Sequence, residues 1–392
     1  MILQIYGFIV LIVAIYFLII CLCNTFWMHT HTKKPLMLSG PLVSVLIPAR
    51  NEEANIERVL KSLLKQSYKN YEVLVLDDNS TDKTWEIIEK MKDEYKKEKI
   101  PFRAIKGQPL ATGWNGKPFA MQQLIAEAHG EILICTDADT EHSFTSVSWG
   151  VSNLLLHGAD LISGYARQKF SGLGDALAVS VIFLLTDFVL PIFLTRHVKS
   201  ETLAAAIGQF IVLRTESIKK IGGYSTICNA CCEDIYLART MRHAGFTTYF
   251  LDAKSVVSCR MYNNWAEAVH GITRNIVCFF NNNLALTTAI LILATIFLFM
   301  PFFVAIVAAM LHHPAAASLL AAVVFYIILW TVVTLDRKLD KRIPILYPGV
   351  FFSLLAIIAN SVHKSMTKDG FEWKGRTLGT EDTNKDENGK DN

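Results

Sequence analysis

Residues 2–23 contain no charged side chain. A run of about 22 such residues matches the thickness of a bilayer when helical. A helix that is apolar all round must be buried in protein or in lipid. The segment starts without a basic cluster, its apolar stretch is long, and no A-x-A site follows. It therefore reads as a signal anchor rather than a cleaved leader. Three further stretches, 284–311, 316–335 and 345–362, are almost free of charge. Hydrophobic residues make up 52% of the 392-residue chain and charged residues 19%. That balance leans toward a membrane protein.

The expected organisation is an anchor over 1–24, a working domain over 40–283, about three membrane segments over 284–363, and a polar tail over 364–392. Lys33 and Lys34 follow the anchor, and Arg337, Lys338, Lys341 and Arg342 follow the third run. Basic flanks stay in the cytoplasm, so the working domain is expected there, at the plasma membrane. The last run has two readings. It spans and exports the tail, or Pro344 and Pro348 break it and Lys364, Lys368, Lys374 and Arg376 stay inside. The end, "TEDTNKDENGKDN", has the composition of a disordered tail.

Net charge is only +3, without a basic stripe studded with aromatics, so nucleic acid is not an expected partner. Cysteines facing the cytoplasm should be reduced thiols. "CNACC" holds Cys228, Cys231 and Cys232, but zinc needs four ligands and His243 is the nearest further candidate. These thiols read as buried or incidental.

Between the apolar runs the pattern alternates. "LVSVLIP", "YEVLVLDD", "FRAIKG" and "EILIC" read as strands. "NIERVLKSLLKQ" reads as a helix, and so does "STDKTWEIIEKMKDEYKKE", with Ser80 at its N-cap. "KPFAMQQLIAEAHG" is a third helix, with Gly130 expected at the C-cap. Strand–helix alternation gives an α/β domain with a mostly parallel sheet between helical layers. Ligands of such sheets sit at the carboxyl ends of the strands. Those ends carry Pro48-Ala49-Arg50-Asn51-Glu52, Asp77-Asp78, and Asp137 with Asp139. Neither G-x-G-x-x-G nor G-x-x-x-x-G-K-[ST] follows a strand, which excludes the usual dinucleotide and P-loop sites.

Asp137 and Asp139 stand two apart in "EILICTDADTEHS". In extended chain such side chains share a face. Two like charges there raise each other's pKa, and a divalent cation, Mg²⁺ or Mn²⁺, would offset that cost while substrate phosphates completed its shell. The bland alternative is a solvated turn. Asp77 and Asp78 read either as a carboxylate for a base or ribose, or as caps of the next helix. Glu233 and Asp234 open the helix "EDIYLARTMRHAG", where an acid is held ionised or simply caps. The segment "LAVSVIFLLTDFVLPIFL" (177–194) reads as an in-plane interfacial element or a buried core helix.

The ordered set "VSVLIPARNEE", "VLVLDDNSTD", "ILICTDADT", "AAIGQFIVLRTESIKKIGGY" and "EDIYLARTMRHAG" resembles the family-2 glycosyltransferases over about 42–275. Those are inverting enzymes with a GT-A nucleotide-sugar-binding fold. With the terminal membrane segments and "WKGR" (373–376), the chain looks most like the membrane-bound carotenoid-acid and hopanoid-associated lipid glycosyltransferases, and more distantly like ceramide glucosyltransferase. The resemblance implies transfer of one sugar from a nucleoside diphosphate sugar, uridine being the expected base, to a lipid acceptor. It implies that Pro48, Arg50 and Glu52 line the nucleotide pocket and that Asp77 or Asp78 holds base and ribose. Lys117 would lie near the donor phosphates, and Asp137 and Asp139 would hold the diphosphate through the metal. Gly208 and Gln209 would lie in the acceptor region. Asp234 would be the general base, with Glu233 beside it. Processive members carry Q-x-x-R-W, whereas this chain has "CRMYNNWAEAVHGITRN". That argues against a polysaccharide synthase, the first alternative. A non-catalytic membrane scaffold is the second, and a nucleotidyltransferase the third. Arg274 or Arg376 would then meet the departing diphosphate, or equally a lipid headgroup.

Overall fold

The computed structural model describes residues 1–34, 37–198, 200–230, 232–279, 283–367, 371–373 and 376–378. The chain opens with α1 (Ile2–His31), which runs past the predicted limit at residue 24. Asn24, Trp27 and Met28 in its last turns are buried. These turns pack on the working domain, which extends the helix beyond its lipid-length part.

Next come β1 (Val43–Ala49), α2 (Ile56–Leu63), β2 (Tyr71–Asp77), α3 (Thr84–Lys97), β3 (Phe102–Lys106), α4 (Gly116–Glu127), β4 (Ile132–Cys135), β5 (Thr140–His142), α5 (Ser146–Leu156), β6 (Leu161–Tyr165) and β7 (Arg167–Gln168). Then follow α6 (Leu173–Phe183), β8 (Ile211–Arg214), α7 (Thr215–Lys220), α8 (Glu233–His243), β9 (Thr248–Asp252), β10 (Val257–Cys259) and α9 (Trp265–Phe279). The chain ends with α10 (Leu284–Ala294), α11 (Met300–Met310), α12 (Ala316–Arg337), α13 (Tyr347–Thr367) and the hairpin strands β11 (Phe371–Trp373) and β12 (Arg376–Leu378).

Seven strands form the main sheet in the order β3-β2-β1-β4-β8-β6-β9. The β1, β2, β3 and β4 neighbours are parallel, as are β6 and β9, while β8 runs antiparallel to both β4 and β6. The period-2 alternation of strands explains the two cores. Val43, Val45, Ile47, Ile132 and Ile134 face one of them, beneath α2, α3 and α5. Leu46, Leu133 and Cys135 face the other, beneath α4, α7 and α8. The first core continues into the terminal helices without a break.

The chain leaves β1 toward β2 and β3 and later returns to β4 on the other side of β1. That reversal makes the carboxyl ends of β1 and β4 the crevice where ligands of such sheets bind. Leu46 accepts from the Thr136 N–H at 3.1 Å, so its carbonyl faces β4. Two residues on, the nitrogen of Pro48 faces the same side, beyond the last β1–β4 register pair, Leu46↔Cys135. Its missing N–H therefore breaks no ladder bond.

Two predicted caps are corrected. The helix after β2 begins at Thr84, and Asp82 Oδ1, not Ser80, accepts from the Thr84 N–H at 3.0 Å. Ser80 Oγ instead accepts from the Asn51 N–H at 2.9 Å. The helix α4 ends before Gly130, at a C-cap on Ala128. Gly130 is needed for another reason: a Cβ there would lie 2.5 Å from the Ser44 nitrogen in β1.

Among the described residues, three helices are long and apolar enough to cross a membrane: Ile2–His31, Ala285–Met310 and Ala316–Arg337. The predicted run at 345–362 forms most of α13, which is not among them. The 177–194 segment forms the end of α6, a π-helical turn over Leu184–Val189 and a short 3-10 turn. Ala178, Val181, Phe183, Leu184 and Phe188 are buried there. Asn24 on α1 ties it down, donating to the carbonyls of Asp187 (3.1 Å) and Leu190 (2.8 Å).

The junction between domain and terminal helices is ionic. Arg337, at the end of α12, donates to both Asp187 oxygens at 2.9 and 3.2 Å and lies 4.0 Å from the Tyr165 ring centroid. Both side chains are 2% exposed. Lys254 joins Asp252 (2.5 Å) to Asp336 (2.8 Å), and His29 meets Asp336 at 2.6 Å. The His29, Asp252 and Asp336 ligand atoms converge as a metal site would require. Lys254 and Arg337 already neutralise these carboxylates, so the cluster is accounted for as a salt-bridge network.

Candidate active site

The loops leaving β1 and β2 are laced together. Arg50 donates to the carbonyls of Asp78 (2.6 Å) and Asn79 (3.0 Å). The Thr81 N–H donates to Asn51 Oδ1 (2.8 Å), the Glu52 N–H to Thr84 Oγ1 (2.7 Å), and the Lys83 N–H to Glu53 Oε2 (3.1 Å). Asn51 and Asn79 both take left-handed backbone, φ 51° and 55°, which asparagine tolerates better than most residues. The lacing fixes Arg50 and Glu52 beside Asp77 and Asp78, both buried. Asp77 Oδ1 accepts weakly from the Ser80 N–H at 3.3 Å, so it also closes the turn.

At the mouth of β4 the acids gather around one lysine. Lys117, from the first turn of α4, reaches Asp137 at 2.7 Å and Glu233 at 2.6 Å. Burial works against its charge, but Asp137, Glu233 and Asp234 outweigh that and hold the ammonium well above the ordinary lysine range. Asp234 Oδ2 accepts from the Gly208 N–H at 2.8 Å, and Oδ1 from the Ile235 N–H at 2.8 Å. Burial and the neighbouring Glu233 push Asp234 up to about 6, with Lys117 pulling the other way. A small cavity of about 10 Å³ is lined by Pro48, Lys117, Asp137, Gly208, Glu233 and Asp234 among others. Six positions predicted from scattered motifs thus meet at one point.

Asp139 lies deeper. Burial first, then Asp137 and Glu52, push its carboxyl up to about 7, while the Cys259 thiol donates to it. Its Oδ1 is buried with no hydrogen-bond partner among the described residues. A buried carboxylate oxygen left without a donor is costly unless something positive meets it. Asp137 and Asp139 are the two protein carboxylates that a Mg²⁺ or Mn²⁺ site sharing substrate phosphates needs. The residues present therefore fit such an ion.

Several supports were not visible in the motifs. Arg58, from α2, donates to the Asp139 carbonyl at 3.0 Å. Thr136 Oγ1 donates to the Gln209 carbonyl at 2.9 Å and lies 3.0 Å from the ring of His142, which burial holds neutral at a pKa of about 3. Gln168 donates to Gln209 Oε1 at 2.9 Å, joining β7 to the Gly208–Gln209 loop. Thr136 and His142 stand in the same quoted stretch as the two aspartates, which is the signal that could have found them. Arg58 and Cys259 had none. The side chains of Arg274 and Arg376 and all of Cys231 lie outside the described residues. Among the described residues, Cys228 and Cys232 form no disulfide.

Residues 44–222 match the glycosyl transferase family 2 model. That stretch, less than half of the chain, is similar to the family 2 glycosyl transferases. The match spans β1 through α7 and includes the Lys117 and Asp137 side of the cleft. Over 141 residues, 36% of this chain, the sequence is 40% identical to a beta-monoglucosyldiacylglycerol synthase of a Nostoc species. Over 249 residues, 60% of this chain, it is 25% identical to the 4,4'-diaponeurosporenoate glycosyltransferase of Staphylococcus haemolyticus. The chain spans 26% and 60% of those relatives' own lengths, less than two thirds of either. Among solved structures, a mannosyltransferase from Pyrobaculum calidifontis in complex with GDP-Man and Mn²⁺ superposes with a TM-score of 0.54 at 18% identity. That comparison covers 94% of this chain and 99% of the other and shows the shared GT-A-like fold.

Proposed function

We propose that this chain is a metal-dependent inverting glycosyltransferase, moving a single sugar from a nucleoside diphosphate sugar to a lipid acceptor at the membrane surface. The observation that carries the reading is the Lys117 bridge. It holds Asp137, from the acidic pair, against Glu233, beside the candidate base, at the switch point of the sheet. One cleft thus combines donor-phosphate binding with proton acceptance. Three membrane-length helices and the similarity to a monoglucosyldiacylglycerol synthase and a diaponeurosporenoate glycosyltransferase support a lipid acceptor. Uridine is the proposed base, and the proposed location is the plasma membrane, with the domain on the cytoplasmic side beside Lys33 and Lys34.

In this reading the Arg50–Glu52 loop and Asp77 or Asp78 hold the nucleoside. Asp137 and Asp139 would hold Mg²⁺ or Mn²⁺, which when bound neutralises charge growing on the diphosphate leaving group. Asp234 takes the proton from an acceptor hydroxyl as its oxygen attacks the anomeric carbon. The Gly208 and Ile235 N–H groups fix the carboxylate and leave each oxygen a lone pair for that proton. Lys117 keeps the acids of the cleft from repelling one another. Arg274 remains the proposed contact for the departing diphosphate.

The test is Asp139→Asn in the full chain. Titration with Mn²⁺ and a panel of nucleoside diphosphates should lose its metal-dependent binding. Label from nucleotide sugars should no longer reach the lipid extract. Metal-dependent binding at the parental affinity would remove Asp139 from this role.

A further inference from the structure

A second cavity, about 610 Å³, lies apart from the acidic cleft. Its walls carry Arg167, Lys169, Arg260, Lys338 and Arg342, with Asp340 as the one carboxylate. Asp340 is taken up by Arg342, which donates to its two oxygens at 3.0 and 2.7 Å. Lys169 is paired with Glu141 at 2.5 Å. Among the described residues, Arg167, Arg260 and Lys338 have no carboxylate partner. Three cations around one hollow repel each other, and an anion in it would relieve that cost.

The position narrows the anion. Lys338 is the C-cap of α12, a membrane-length helix, so the cavity opens at the end of a span. Basic pockets at that level meet lipid headgroups. Lys338 also sits at φ 57°, a left-handed cap where glycine is the usual residue. A lysine there accepts backbone strain and sets an ammonium on the cavity wall. The same wall reaches toward the cleft: Gln168, another lining residue, donates to Gln209 Oε1, and Arg260 follows Cys259, whose thiol donates to Asp139.

We infer that this cavity binds the phosphate group of an anionic lipid headgroup, beside the acceptor side of the cleft. Arginine forks match phosphate oxygens in pairs, and the ammonium of Lys338 adds a point charge. The inference rests on the reading that the domain works at a membrane surface. A headgroup held here would hold the cleft against the lipid plane from which an acceptor rises.

The experiment uses the full chain in neutral detergent, titrated with short-chain phosphatidylglycerol, short-chain phosphatidylcholine and inorganic phosphate. Phosphatidylglycerol should bind about tenfold or more tightly than phosphatidylcholine, whose choline the three cations repel. Lys338→Gly suits the left-handed backbone, so its melting temperature should not fall, yet the preference should shrink several-fold. Arg167→Gln with Arg260→Gln should abolish it. Inorganic phosphate that competes only at far higher concentration identifies the source as lipid. Phosphate binding as tightly as the lipid identifies a free phosphate ester with the same site chemistry. Equal affinity for the two lipids in the parent without competition by phosphate, or a preference that survives both variants, overturns the inference. Mn²⁺-dependent nucleoside diphosphate binding, read on the same preparations, should be unchanged in Lys338→Gly. Its loss in the parent would instead count against the proposed donor site.

Discussion

Gly208→Ala tests the cleft at its tightest point. A Cβ at residue 208 would lie 2.8 Å from Lys117 Nζ, 3.5 Å from Asp137 Oδ2 and 3.6 Å from Asp234 Oδ2. Ordinary contact begins at 3.4 Å, so the ammonium must retreat by about 0.6 Å. A free lysine would do so at little cost, but this one is held at 2.7 and 2.6 Å by Asp137 and Glu233. Retreat lengthens at least one of those bonds to about 3.2–3.3 Å, the weak end of the hydrogen-bonding range. A hydrogen bond to a charged group contributes roughly 1.5–3 kcal/mol. Lys117 is 23% exposed, so little of that is lost to solvent screening. The backbone at Gly208 needs no positive φ, so the fold should tolerate alanine. We expect kcat/KM to fall by roughly ten- to a hundredfold, at about 1.4 kcal/mol per factor of ten, with the melting temperature nearly unchanged. The assay is transfer of labelled sugar into the lipid extract, beside Mn²⁺-dependent nucleoside diphosphate binding. A variant within twofold of the parent would show that the Lys117 bridge is not part of the working site.

Asp234 should set the acid limb of the rate. Its carboxyl is pushed up to about 6 and acts as a base only when ionised, so kcat/KM should climb with pH through that value and level off above it. Asp234→Asn should bind the donor, lose transfer by about 10²–10⁴-fold, and lose the inflection; a parental profile flat between pH 5 and 7 would count against the assignment. Arg337→Met strands Asp187 as a buried, unpaired carboxylate. It should cost about 3–5 kcal/mol, read as a lowered unfolding temperature in detergent. Adding Asp187→Asn should recover most of the loss, and a single variant as stable as the parent would mean that the pair contributes nothing at the junction.

The motifs marked the cleft through residues whose neighbours in sequence reveal their place. Pro48, Asp77 and Asp137 each end an apolar strand, so their arrival at one edge of a parallel sheet was legible. Glu233 and Asp234 were legible as a helix start, but not their distance from Asp137. The predicted Ser80 and Gly130 caps failed for one reason. Each residue serves a neighbour in space, the β1 loop in one case and Ser44 in the other, and local propensity carries no record of that neighbour. The same limit hid Arg58 and Cys259, which support Asp139 from α2 and from the end of β10.

What the sequence determined alone was set by periodicity and by charge. Three of the four uncharged runs gave helices of membrane length, strand–helix alternation gave a mostly parallel sheet, and acids at strand ends gave a polar crevice. These properties act over a few residues and survive any arrangement of the rest. Contacts between distant segments were decided only by the tertiary structure: Lys117 between Asp137 and Glu233, Gly208 against that lysine, Arg337 on Asp187, and three cations around one hollow at the end of α12. Each is an electrostatic or steric relation at about 3–4 Å between residues far apart along the chain. At that range the energy depends on where whole elements dock, and only the packed fold sets that.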